Sequence, residues 1–116
     1  MSVRAIHHIY LETHNFGKTA KFWQVLGFTL DEDRGTSGLL RPAGGGPYVY
    51  VAEVPTTRRP TMELYLDADG EGVPGSPVEV IGPFADTHWG TREMAVRDPD
   101  GRTLKIESRG TGTRRK

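Results

Sequence analysis

The sequence predicts an α+β fold built from two copies of one βαβββ unit, the second with its helix reduced to a Gly/Pro loop. Three observations predict it. His8-Ile9-Tyr10-Leu11-Glu12-Thr13 near the start and Glu63-Leu64-Tyr65-Leu66-Asp67-Ala68 past the middle share one alternation of polar or aromatic with aliphatic residues, the two-residue period of a strand whose faces differ. A helical pattern follows the first copy. After the second, Ala68-Asp69-Gly70-Glu71-Gly72-Val73-Pro74-Gly75-Ser76-Pro77 is too rich in Gly and Pro to form a crossover helix.

The first strand should cover about 4–12, with Ile9 and Leu11 on one face and His8, Tyr10 and Glu12 on the other. Asn15 then offers a helix cap, and Phe16, Ala20, Trp23 and Leu26 recur at helical spacing, with Phe22 and Val25 widening the apolar stripe toward the core. Gly27 supplies the stop. Strands are expected near 28–33, 37–42 and 47–54, separated by Gly-containing segments. The second unit starts after the linker 56–60, and its later strands fall near 78–82, 91–97 and 102–108, the last two joined by the turn sequence Asp98-Pro99-Asp100-Gly101. One domain over 1–108 is expected, with modules at about 4–55 and 61–108.

A length of 116 residues suits a single core. No apolar run approaches the ~20 residues that span a bilayer, and the start lacks a signal-peptide pattern, so the cytoplasm is the expected location. Absence of cysteine excludes disulfides, thiolate metal sites and a cysteine nucleophile. The formal charge of zero hides an asymmetry: residues 109–116 hold four of the 15 basic residues, leaving 11 against 15 acidic elsewhere, a net of −4. That segment reads as a flexible, solvated basic tail. The remaining basic residues are scattered, which argues against a nucleic-acid or membrane partner.

Taken together, His8-Ile9-Tyr10-Leu11, the helix carrying Phe22-Trp23 and ending Leu26-Gly27-Phe28, and Trp89-Gly90-Thr91-Arg92-Glu93 followed by Asp98-Pro99-Asp100-Gly101 resemble the vicinal oxygen chelate superfamily, the group of glyoxalase I, extradiol dioxygenases, fosfomycin-resistance enzymes and bleomycin-resistance proteins. The resemblance covers about 5–108. It implies two βαβββ modules whose mixed sheets curl into a half-open cup, completed by a homodimer. Leu64 and Leu66, left without a second helix, would then be covered by a partner.

Enzymes of that group hold a divalent metal through cup-facing positions on the first and last strands of each module. Here those positions carry His8, about Tyr50, Glu63 and Lys105. An ammonium is a poor metal ligand, so the resemblance implies a site with no metal cofactor, with a Lys105–Glu63 ion pair in the vacated space. The alternative is a divalent metal held by His8, Glu63 and Glu107, with Glu53 replacing Tyr50 after a register shift. His7 is expected to face away from His8, His14 to be solvated, and His88 to sit near the rim.

The predicted ligand wall comprises His8, Tyr10, Glu12, Tyr50, Glu63, Tyr65, Asp67, Trp89 and Lys105, with Tyr48 an alternative to Tyr50, while Phe22 and Trp23 are assigned to the core. Strand tyrosines on a polar face pack through the ring and bond through the hydroxyl. The expected function is metal-free binding of a small organic molecule, as in bleomycin-resistance proteins, the favoured ligand being flat and cationic or hydrogen-bond-donating. The competing readings are a metal-dependent lyase, isomerase or dioxygenase, and acid-base chemistry by Lys105 or Glu63.

Overall fold

A computed structural model describes residues 1–108; the predicted basic tail at 109–116 lies outside the described residues. The elements are β1 (Val3–Thr13), α1 (Phe16–Val25), β2 (Thr29–Asp33), β3 (Ser37–Arg41), β4 (Tyr48–Glu53), β5 (Met62–Ala68), β6 (Glu79–Asp86), β7 (Arg92–Arg97) and β8 (Thr103–Ser108). They fall into two compact units, His7–Glu63 and Met1–Ile6 together with the chain from Leu64 onward. The division passes through β1.

In the unit His7–Glu63, β1 pairs parallel with β4, β4 antiparallel with β3, and β3 antiparallel with β2. Leu11, Leu30, Leu40, Val49 and Val51 form the face against α1, where Phe16, Ala20, Trp23 and Phe28 complete the core. The helix begins where predicted: the Asn15 side chain accepts from the Lys18 N–H at 2.9 Å, and the Phe16 N–H donates to Glu53 Oε2 at 2.9 Å. Leu26 caps its end, and the chain turns away at Gly27, whose φ of 110° suits glycine. Gly38 is required by space, since a Cβ there would overlap the Glu32 carbonyl oxygen and lie 2.9 Å from Phe16 Cζ.

The helix corrects one expectation. Phe22, Val25 and Leu26 are exposed, Val25 at 74%. A ten-residue helix lying on one sheet buries only a narrow stripe, here Phe16, Ala20 and Trp23, so the wider apolar face assigned to the core points away from it.

The other unit repeats the pairing: β5 parallel with β8, β8 antiparallel with β7, and β7 antiparallel with β6. Residues 69–78 are turn and extended chain without a helix. Even so, Ala68, Met94, Val96 and Ile106 are buried, with Leu66, Val80, Phe84 and Leu104 packed on them. Leu64 and Leu66 are half-buried, and Leu66 packs on this cluster, so for Leu66 the cover expected from a partner is partly supplied within the unit. The strand predicted to end at 82 runs on to Asp86, because register shifts between Val80 and Ala85 absorb Gly82 and Pro83 at an edge that pairs on one side. Asp98-Pro99-Asp100-Gly101 forms the predicted turn: the Gly101 N–H donates to the Asp98 carbonyl, and Asp98 Oδ1 accepts from the Asp100 and Arg102 N–H groups. These bonds, the Arg102 N–H first, hold the Asp98 pKa down.

Candidate functional site

In the unit His7–Glu63, the sheet face opposite α1 is organised in three lateral rows. The first holds His8 and Tyr48, directly opposed in β1 and β4, and Arg41, one residue beyond the Leu40–Val49 pair and hence opposite Tyr48. The His8 and Tyr48 rings stack at 4.7 Å with an interplanar angle of 1°. The Arg41 guanidinium carbon lies 5.4 Å from the Tyr48 ring centre, within cation–π range. The second row is Tyr10, Tyr50 and Leu39, and the third Glu12, Ala52 and Ser37.

His7 departs from expectation. Its Nδ1 lies 2.7 Å from that of His8, although adjacent strand residues alternate faces. Nδ1 is close to the backbone, so two neighbouring imidazoles can turn toward the strand edge and meet there. A hydrogen bond at this distance needs one Nδ1–H and one Nδ1 lone pair, which gives the two rings different tautomers at these atoms.

Glu12 is committed to its surroundings. Only 6% exposed, it accepts at Oε2 from the Tyr10 hydroxyl at 3.1 Å and from Arg58 at 2.6 Å, and at Oε1 from the Thr61 N–H and hydroxyl at 3.2 and 3.0 Å. Burial pushes its pKa up, but the Thr61 bonds, the Tyr10 bond and the Arg58 charge outweigh this and leave it lowered. The Tyr10 hydroxyl is shifted upward by burial and by its bond to Glu12. His14, expected to be solvated, bonds through Nε2 to the Arg58 carbonyl at 2.7 Å. Glu12 and His14 together pin the linker after β4. Tyr50 donates to Ser37 Oγ at 3.1 Å, and Glu53, the candidate substitute ligand, instead caps α1. Glu63 lies on β5, half-buried.

In the other unit, the face opposite the apolar cluster carries Tyr65 beside Lys105 and, in the next row, Asp67 beside Glu107 beside Glu93 across β5, β8 and β7. Lys105 Nζ lies 5.5 Å from the Tyr65 ring centre. Asp67 and Glu107 are 5% and 3% exposed. Trp89 is half-exposed at the tip between β6 and β7, with the His88 ring edge-on at 4.6 Å. That tip is held by Thr87 and Thr91, whose hydroxyls lie 2.8 Å apart.

Arg41, Arg58 and Glu93 were not singled out in the sequence. Pairing 37–42 with 47–54 across the Gly-rich turn would have placed Arg41 opposite Tyr48. Nothing local announces that Arg58 returns to Glu12.

No protein-family model matches the sequence, and a search of curated proteins finds no match. Among solved structures, the chain is similar to a glyoxalase/bleomycin resistance protein/dioxygenase superfamily member from Vibrio splendidus 12B01 (TM-score 0.64, 13% identity, 92% of this chain and 99% of that one). It is also similar to BphC, described as a halotolerant catechol dioxygenase (0.60, 12%, 91% and 39%), and to a protein described as NAD-dependent benzaldehyde dehydrogenase from Legionella pneumophila (0.59, 15%, 86% and 96%). The fold is that of the vicinal oxygen chelate superfamily. The descriptions attached to these neighbours differ in chemistry, so the likeness carries the fold and no activity.

Enzymes of that superfamily hold a divalent metal, and of the four positions that the resemblance assigns to it two, His8 and Glu63, carry ordinary ligands and two, Tyr50 and Lys105, do not. Lys105 brings an ammonium and Tyr50 a phenol bonded to Ser37, both poor ligands, whereas a histidine bonded at one ring nitrogen, as His8 is to His7, is the usual form of a metal ligand.

Proposed function

We propose that the protein is a metal-free small-molecule-binding protein of the bleomycin-resistance-like type, its ligand held against aromatic and acidic side chains. His8, Tyr10, Tyr50, Glu63, Tyr65, Asp67, Trp89 and Lys105 are the proposed wall, and Glu12 supports it through Tyr10. The observation that carries the reading is Lys105, whose ammonium lies over Tyr65 at the position where the resemblance expects a metal-binding carboxylate. The proposal takes the protein to work in the cytoplasm as a homodimer. Among the described residues no helix is long and apolar enough to cross a membrane.

A second reading, a divalent-metal enzyme using His8, Glu63 and Glu107, draws on one observation: Glu107 is buried directly beside Asp67, and paired buried carboxylates suit a cation. Metal analysis of protein purified without a metal-binding tag separates the two. Less than a tenth of an equivalent of Ni, Zn, Mn or Fe is expected; a full equivalent that disappears in His8→Ala would establish the second reading.

A further inference from the structure

Three of the six acids of the unit His7–Glu63 are engaged by cations of the same unit. Glu12 meets Arg58 at 2.6 Å, Glu32 meets Arg34 at 3.7 Å, and Asp31 meets Arg41 at 2.7 Å. Arg41 differs from the other two cations in what it retains. Its bond to Asp31 runs through Nε, and among the described residues its two terminal nitrogens make no hydrogen bond. A guanidinium has five N–H donors in a planar fork, so this arrangement fixes the plane of Arg41 and leaves the end that binds carboxylates bidentately. The Tyr48 ring beneath it holds the group over the sheet face.

One row along the strands, Tyr10 and Tyr50 adjoin the apolar Leu39. Their hydroxyls bond to Glu12 and Ser37 in the third row, so both rings lean away from the Arg41 row and lie along the face. Two residues of strand separate the rows by about 7 Å. An aryl carboxylate of benzoate size spans that spacing with its ring on one row and its oxygens within reach of the next.

We infer that the face of the unit His7–Glu63 binds an aryl carboxylate, its ring against Tyr10 and Tyr50 and its carboxylate forked by the terminal nitrogens of Arg41. This rests on the small-molecule-binding reading and replaces the cationic ligand expected from the sequence with an anionic one. Arg41 is the specificity-determining residue, and Asp31 positions it.

The test is calorimetric titration of the whole chain with benzoate, benzyl alcohol and benzylammonium, for the native protein, Arg41→Gln and Tyr50→Ala, after thermal melts show that each variant folds. Benzoate is expected to bind at least tenfold more tightly than the other two. Arg41→Gln should remove that preference, bringing benzoate down to the level of benzyl alcohol, whereas Tyr50→Ala should weaken both compounds. Saturable benzylammonium binding with none for benzoate, or benzoate binding indifferent to Arg41→Gln, overturns this inference and leaves small-molecule binding intact. Absence of saturable binding by all three overturns the carboxylate assignment; a wider panel of uncharged and charged aromatics, equally silent, would remove the binding function itself.

Discussion

Replacing Glu12 by Gln isolates the energy of its buried carboxylate. The Oε1 atom accepts both Thr61 bonds, and a Gln carbonyl can keep them. The new amide then takes the place of Oε2 and turns its donors toward the Tyr10 hydroxyl and Arg58. Losing the Arg58 pair costs about 1 kcal/mol, discounted because that arginine is 58% exposed. The charge-assisted bond from Tyr10 becomes a neutral one in which the hydroxyl accepts, costing about another 1 kcal/mol, and the donors opposed at Arg58 add a fraction more. The total is roughly 2–3 kcal/mol, or on the order of 10 °C in Tm for a chain of this size. The sign follows from the direction of the shift. Glu12 is held below the ordinary glutamate value of 4.5, so its contribution is complete above that pH and is lost as pH falls through its folded value. Urea unfolding at pH 7 should therefore separate native protein from Glu12→Gln by 2–3 kcal/mol, and at pH 3 the gap should narrow. A gap below about 0.5 kcal/mol at pH 7, or one that widens in acid, would refute the reasoning.

Gly38→Ala should cost about 2–3 kcal/mol in urea unfolding, because the new Cβ meets the Glu32 backbone rather than a yielding side chain; a change under 0.5 kcal/mol would mean that β2 shifts freely. Met94→Ala, at 1% exposure in the cluster without a helix, should cost about 2–5 kcal/mol, and a smaller loss would show that this cluster contributes little to stability. Sedimentation at high micromolar concentration should give a homodimer. Phe22→Ser should leave unfolding within about 0.5 kcal/mol, given its exposure.

Strands and turns were legible in the sequence because their signals are local: alternation in β1 and β5, the Asn15 cap, Gly27, and the Asp98–Gly101 turn. The side of α1 that packs was not, since Phe22 and Val25 are as apolar as Trp23 and only the sheet's width decides which are covered. Which side chains share a sheet face was legible as parity. His8 and Tyr10 share a face because residues two apart on a strand must, and Tyr50 joins them because it pairs with Tyr10. Partners from distant segments were hidden: Arg58 reaches Glu12 across 46 positions, and Arg41 meets Tyr48 only once the β3–β4 register is known.

The division of β1 between the two units bears on how the chain comes to be folded. Ser2 and Asp69 exchange two bonds, Ser2 N–H to Asp69 Oδ1 at 2.8 Å and Asp69 N–H to the Ser2 carbonyl at 3.0 Å, and Arg4 adds an ion pair at 3.6 Å. On the ribosome, residues 1–6 therefore wait for a segment more than sixty positions later, while His7–Glu63 can close as soon as it emerges. A gene cut at the linker would yield a first half carrying an unused strand end and a second half lacking one. Supplying residues 1–6 in trans, as a peptide, should rescue a fragment that starts at 61, which makes the protein a candidate for split-chain complementation.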